Sequence, residues 1–168
     1  MKRVAVISVI PTPYRDPFWR CLQELGEIDL DVYYLAEGKA DRPWKNDWVM
    51  PKGSEVIPGV NLAKWRGVDS SLFWNPLLPR RLVATRYEAI VIGGYNHPSL
   101  LWAIAFACRR SIPWFLMCET HRIGGVGGVK DRLRIFALKR IVRSAFGAFP
   151  TGNRAKAFLS HFGMSSTR

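Results

Sequence analysis

The sequence predicts an α/β fold of the Rossmann-like type, with a doubly wound and mainly parallel sheet. Two short runs, residues 4–10 and Ala89–Ile92, are apolar and rich in β-branched side chains. Continuous runs of this kind are typical of strands that are covered on both faces, as in parallel sheets. Segments of helical length alternate with the strand-like runs along the chain, as βαβ units require. The 168 residues fit one domain of this size.

Proline and glycine mark the first βαβ unit. Prolines end the strand at residues 4–10, and a helix is predicted over residues 17–25 with Asp16 as its N-cap. Gly26 closes that helix, because glycine readily adopts the left-handed conformation at a helix C-terminus. Residues 30–35 then form the second strand.

The stretch of residues 36–74 is irregular and rich in Trp, Lys, Gly and Pro. Within it, residues 48–50 and 55–57 are predicted to pair as short strands around a Pro-Lys-Gly turn. A helix over residues 76–86 follows, with Asn75 as its cap. Several tryptophans in polar stretches either face a binding surface or pack loops onto the sheet. They are Trp44, Trp48, Trp65 and Trp74.

The second half of the chain continues the alternation of helix and strand. Its predicted elements are strand Ala89–Ile92, helix Pro98–Arg109, strand 114–117, helix Val129–Ser144, strand 146–149 and helix 152–162, which ends at Gly163. Ligands of doubly wound sheets bind beyond the carboxyl ends of the strands, at the switch point of strand order. The loops to consider are therefore residues 11–17, 93–98, 118–128 and 151–154.

The formal net charge of +12 favours polyanionic partners, which include nucleic acid, anionic lipid headgroups and phosphorylated substrates, although many basic side chains are simply solvated. No recognisable nucleic-acid-binding module accompanies the charge, so no specific nucleic acid is expected. The stretch 99–118 is too interrupted by arginine and proline for a membrane span. Three cysteines without metal-ligand spacing predict free, mostly buried thiols in a reducing compartment, and hence a cytoplasmic protein. They are Cys21, Cys108 and Cys118.

Four motifs follow one another over nearly the whole chain: Ile-Pro-Thr-Pro-Tyr-Arg at residues 10–15, Ala-Ile-Val-Ile-Gly-Gly-Tyr at 89–95, Cys-Glu-Thr-His at 118–121 and Thr-Gly-Asn-Arg-Ala-Lys at 151–156. In this order they resemble the motifs of family 4 glycosyltransferases. The resemblance implies the GT-B architecture, in which two Rossmann-like domains enclose the active site. Residues 1–163 correspond to the N-terminal, acceptor-side domain, and residues 164–168 to the start of an interdomain linker or a tail.

The resemblance further implies a hexosyltransferase of polysaccharide biosynthesis. Such an enzyme moves a sugar from a nucleotide sugar, its co-substrate, to a saccharide or lipid-linked acceptor. The family holds the donor in a C-terminal domain by a Glu-x7-Glu pattern, for which this chain has no room. Activity is therefore expected only with such a partner domain. The resemblance also implies retention of configuration, with no metal and no other cofactor.

Seven residues on the loops after the strands are candidates for the site. His97 and Glu119 are the catalytic candidates, and the substrate-binding candidates are Tyr14, Arg15, Asn96, His121 and Arg122. His97 adjoins a helix N-terminus, where it either hydrogen-bonds a sugar hydroxyl or serves as a cap or surface residue. Glu119 either binds sugar hydroxyls or pairs with Arg122, and Arg15 either binds a phosphate or pairs with a nearby carboxylate.

The helix Val129–Ser144 is strongly basic and follows a glycine-rich stretch at residues 124–128. That stretch lacks the spacing of a phosphate loop and is predicted to be a mobile loop over the cleft. The helix either lies on an anionic membrane surface or packs on the domain with a solvated basic face. Its cations are Lys130, Arg132, Arg134, Lys139, Arg140 and Arg143. An alternative function is therefore a non-catalytic basic domain that binds polyanions or a membrane surface.

Overall fold

The computed structural model describes residues 1–39, 48–63, 71–119 and 129–165. The strands in this part of the chain are β1 (Lys2–Ser8), β2 (Ile28–Tyr34), β3 (Glu55–Val56), β4 (Val60–Asn61), β5 (Phe73–Trp74), β6 (Ala89–Ile92), β7 (Trp114–Cys118) and β8 (Gly147–Pro150). The helices are α1 (Asp16–Glu24), α2 (Leu78–Ala84), α3 (Pro98–Arg109), α4 (Val129–Ser144) and α5 (Asn153–His161). Most predicted elements match these bounds within about two residues.

Six strands form one parallel sheet in the order β3-β2-β1-β6-β7-β8, which confirms the Rossmann-like, doubly wound fold. The chain builds β1, β2 and β3 outward in one direction and then returns to place β6, β7 and β8 on the other side of β1. Strand order thus reverses between β1 and β6, where Val6 pairs with Val91. A short antiparallel pair, β4 with β5, lies outside this sheet.

Side chains alternate between the two faces of the sheet, and each face has its own apolar cluster. On one face, Ile90 and Ile92 pack with residues of α2, α3, α4 and α5. On the other face, Val91 packs in a smaller cluster into which α1 inserts Trp19. Because the central strands are buried on both sides, their sequences are continuously apolar rather than alternating.

The predicted pairing of residues 48–50 with 55–57 is wrong. Glu55–Val56 instead extends the main sheet beside β2, and residues 48–50 form no strand. The Gln23 side chain explains the difference, because its amide donates to the Lys52 carbonyl at 2.8 Å and its oxygen accepts from the Lys52 N–H at 2.9 Å. These bonds hold Lys52 against α1, while Glu55–Val56 pairs with the end of β2.

Both predicted N-caps are also wrong. Asp16 is the first residue of α1, and Arg15 occupies the cap position with no side-chain cap bond. Leu77 occupies the cap position of α2. Asn75 is fully buried and its amide donates to two strand-end carbonyls, those of Leu35 at 2.8 Å and Ile57 at 2.7 Å. Each polar side chain ties a loop to the sheet rather than capping its helix.

The three cysteines form no disulfide, as predicted, but they are not mostly buried. Cys118 is buried at the end of β7, whereas Cys21 and Cys108 are exposed on α1 and α3. Trp48 and Trp74 are half-buried, and Trp44 and Trp65 lie outside the described residues. Within the described chain, none of the helices has the length and hydrophobicity that a membrane span requires.

Candidate functional site

A cavity of about 580 Å³ lies at the carboxyl ends of β1, β6 and β7. This is the switch point of the sheet, where doubly wound folds bind ligands. Its walls come from the ends of these strands and the loops after them, together with one residue each of the loop after β2, of α3 and of α4. The polar lining residues are Ser8, Thr12, Tyr14, Arg15, Lys39, Tyr95, Asn96, His97, Glu119 and Arg134.

Glycine shapes the floor of the cavity after β6. The Gly93 N–H donates to the Ile7 carbonyl at 2.8 Å, which draws the end of β6 against β1. A Cβ at Gly93 would lie 3.0 Å from that carbonyl oxygen and 3.3 Å from the Ser8 Cα. The next residue, Gly94, has a φ of +118°, a conformation that side chains disfavour. The Gly-Gly pair therefore permits both the close approach and the turn.

A buried carboxylate holds the loop after β1. Asp16 is 1% exposed and accepts three hydrogen bonds, from the Thr12 N–H at 3.2 Å, the Tyr34 hydroxyl at 2.7 Å and the Trp48 indole at 2.8 Å. Burial, followed by the bond to Asp16, raises the pKa of Tyr34 above its usual value, so this phenol remains a donor. The carboxylate therefore fixes the loop that carries Tyr14 and Arg15 to the cavity.

Arg15 and Glu119 form an ion pair across the cavity, between the loops after β1 and β7. The Tyr14 hydroxyl also donates to Glu119, at 3.4 Å, and the Arg15 guanidinium lies 5.6 Å from the centre of the Tyr14 ring. The pairing of Arg15 with a nearby carboxylate is thus the observed arrangement. Both contacts use Oε1 of Glu119, and among the described residues none engages Oε2.

His97 is 3% exposed, and its ring lies against Phe73 with 5.3 Å between ring centres. Its Nδ1 accepts a hydrogen bond from the Phe73 N–H at 3.1 Å, which places the proton of the neutral ring on Nε2. Burial, and then the charge of Lys39, lowers the pKa of His97 to about 4. His97 occupies the N-cap position of α3 but makes no side-chain cap bond. It is therefore a neutral donor in the wall of the cavity.

Five of the seven candidate residues line this one cavity: Tyr14, Arg15, Asn96, His97 and Glu119. His121 and Arg122 lie outside the described residues, as does the glycine-rich stretch at 124–128. Sequence reasoning missed Lys39, and it assigned Arg134 only to the basic face of a helix. The structure places both side chains at the cavity. For Lys39 the available signal was its place in the loop after β2, a strand that ends at this edge of the sheet.

The described residues that line the cavity are rich in hydrogen-bond donors and cations. Among the described residues, no three His, Cys, Asp or Glu side chains come together. Glu119 is the one carboxylate among the described residues that line the cavity, and three cations, Arg15, Lys39 and Arg134, belong to the same lining. Donors outnumber acceptors, so the arrangement is suited to sugar hydroxyls and to anionic groups.

No model of a known protein family matches this sequence. Over 122 residues the chain is 28% identical to the 1,4-α-glucan branching enzyme GlgB of Myxococcus xanthus. The match covers 59% of this chain and 16% of the relative, so it involves a small part of that protein. A chain from the crystal structure of the histidine kinase ThkA in complex with the response regulator TrrA aligns at 10% identity, with a TM-score of 0.41. That alignment covers 98% of this chain and all of the other.

Proposed function

We propose that this chain is the acceptor-side domain of a nucleotide-sugar glycosyltransferase, active together with a C-terminal donor domain. The observation that carries the proposal is the convergence of Tyr14, Arg15, Asn96, His97 and Glu119 on one cavity at the switch point. These residues come from three loops that are far apart in the sequence. The partial similarity to a glucan branching enzyme is compatible with a role on saccharides and does not specify the reaction.

The site chemistry supports roles for two residues. Neutral His97, with its proton on Nε2, can donate a hydrogen bond to a sugar hydroxyl without bringing a charge into the cavity. Glu119 can accept from a second hydroxyl through Oε2, while Arg15 and Tyr14 hold its Oε1. Fixed partners of this kind orient an acceptor and lower the entropic cost of reaching the transition state.

In the proposed reaction, the bond between the sugar and the nucleotide diphosphate breaks and a bond to the acceptor oxygen forms. The proton of the acceptor hydroxyl passes to the departing phosphate of the donor, and no redox change occurs. This chain supplies the acceptor pocket and the hydrogen bonds around it. The donor domain supplies the groups that hold the diphosphate.

Complementation with a donor domain tests the proposal. A family 4 C-terminal domain is fused to the chain or added in trans, and release of nucleoside diphosphate and transfer to saccharide acceptors are measured. We expect His97→Ala to lower kcat/KM at least tenfold, since a hydrogen bond in a closed site contributes roughly 1.5 kcal/mol. His161→Ala is the matched control, because His161 is exposed on α5 and does not line the cavity. Absence of transfer with every tested donor would contradict the proposal.

A second candidate function, a basic domain that binds a membrane surface, is favoured by the exposed side of α4. Leu133 is 64% and Phe136 66% exposed, and Arg132, Lys139 and Arg140 are exposed on the same helix. Apolar side chains among cations suit the interface of an anionic leaflet, where each basic residue contributes about 1 kcal/mol. Sedimentation with anionic vesicles, repeated with Leu133→Ser and Phe136→Ser together, tests this function. Binding that is absent or insensitive to salt would rule it out.

A further inference from the structure

The first turns of α4 extend beyond the hydrophobic core. Leu138 and Val142 anchor the second half of the helix, whereas the side chains of residues 132–137 are all exposed. Arg134 lies in this projecting part and yet lines the cavity. Among the described residues, no carboxylate pairs with Arg134, although Asp131 is one turn away on the same helix. Within the described part of the chain, the guanidinium of Arg134 therefore lines the cavity without a carboxylate partner.

The charges of the described lining residues do not balance. Arg15, Lys39 and Arg134 contribute three positive charges, and Glu119 contributes one negative charge. Asp16 adds a second carboxylate behind the loop, where it accepts three hydrogen bonds. Among these described residues cations therefore outnumber carboxylates, and a phosphate monoester, with about −1.5 to −2 charges at pH 7, complements them.

We propose that Arg134, Lys39 and Arg15 form an anion subsite at the mouth of the cavity, which recognises a phosphate monoester on the acceptor. The identification of the ligand as the acceptor rests on the proposed function. The binding of the phosphate itself needs no donor domain. Arg134 is the specificity-determining residue of the subsite, because Arg15 is shared with Glu119.

Direct binding to the 168-residue chain tests the subsite. Glucose 1-phosphate, inorganic phosphate and neutral glucose are titrated into the protein by calorimetry. We expect both phosphates to bind at least tenfold more tightly than glucose, and Arg134→Gln to weaken them about tenfold, as loss of a charge-assisted bond implies. Arg132→Gln removes the same charge from an exposed position that does not line the cavity, and it should change the affinity less than about twofold.

Two results would overturn the subsite. One is phosphate binding no tighter than glucose binding, and the other is equal weakening by Arg132→Gln and Arg134→Gln, which would indicate diffuse attraction to a basic surface. Vesicles that contain phosphatidic acid, a lipid phosphate monoester, distinguish the two sources of the group. Vesicle binding that depends on Arg134 but not on Arg132 supports a lipid-linked phosphate, and binding of glucose 1-phosphate alone supports a soluble one.

The two proposals fail in different ways. A chain that binds glucose 1-phosphate through Arg134 but supports no transfer after complementation contradicts the proposed function alone. A complemented enzyme that transfers sugar with an unchanged acceptor KM in Arg134→Gln, and binds no phosphate, contradicts the subsite alone.

Discussion

Arg15 and Glu119 are 104 residues apart in the sequence, and their ion pair joins the loop after β1 to the loop after β7. Both side chains line the cavity at the switch point of the sheet. The Arg15 side chain is 14% exposed and the Glu119 side chain 41%. The arginine is thus the buried partner, and the carboxylate is the partner that a ligand can reach.

This geometry predicts that Glu119→Gln affects acceptor binding more than stability. We expect the free energy of unfolding to fall by about 1 kcal/mol or less, because solvent screens a half-exposed pair. The acceptor KM of the complemented enzyme should rise at least fivefold, since a neutral amide oxygen accepts hydrogen bonds less strongly than a carboxylate. Urea denaturation and initial-rate kinetics measure the two effects.

Glu55→Gln is the matched control for that variant. Glu55 pairs with Arg81 at 2.7 Å, on a surface away from the cavity. Its loss should cost a similar free energy of unfolding and leave the acceptor KM unchanged. Equal KM values for the Glu55 and Glu119 variants would show that the carboxylate at the cavity has no part in binding.

The buried carboxylate of Asp16 predicts a larger effect on stability. Asp16→Asn replaces an acceptor of three hydrogen bonds by a group that must itself donate, and we expect a loss of about 2–4 kcal/mol. Asp29→Asn, which breaks the exposed contact with Arg3, should cost less than about 1 kcal/mol. Urea denaturation of both variants makes the comparison. Equal losses would mean that the loop after β1 does not depend on its carboxylate.

The strands and long helices could be predicted because their signals are local. The apolar run Ala89–Ile92 and the helix Pro98–Arg109 have the observed bounds. The role of Asn75 could not be predicted, since its preferred partners are the carbonyls of Leu35 and Ile57, which only the folded sheet brings near. Polar side chains in loops form hydrogen bonds with groups that the fold brings near. Capping rules consider only the backbone groups that are close in the sequence.

The residues of the candidate site that follow strands could also be predicted, whereas the one on α4 could not. His97 and Glu119 lie on loops that follow strands, and the carboxyl ends of neighbouring parallel strands meet at one edge of the sheet. Arg134 gives no such signal, because it differs from Arg132 only by its direction around the helix. That direction is set by how Leu138 and Val142 pack, a relation that residue spacing alone does not determine.

The close approach of Gly93 to β1 predicts a steric effect when a side chain is added there. A methyl group there meets backbone atoms of Ile7 and Ser8, which cannot rotate away, so Gly93→Ala should separate the ends of β1 and β6. We expect a loss of roughly 1–3 kcal/mol, as for other overpacked positions. Gly38→Ala is the control, because a Cβ at Gly38 meets nothing within 4 Å. Thermal melts that are identical for the two variants would contradict the close approach.

The lowered pKa of His97 predicts how the free energy of unfolding depends on pH. Its pKa of about 4 lies below the usual 6.5, so the folded chain binds this proton more weakly than the unfolded chain. The stabilisation is complete above pH 6.5 and is lost as the pH falls towards 4. Between pH 7 and pH 4, the wild type should therefore lose about 2–3 kcal/mol more than His97→Gln. Urea denaturation across this range measures the difference, with exposed His161→Gln keeping the wild-type slope. Parallel curves for the wild type and His97→Gln would show that the imidazole is not held neutral by burial.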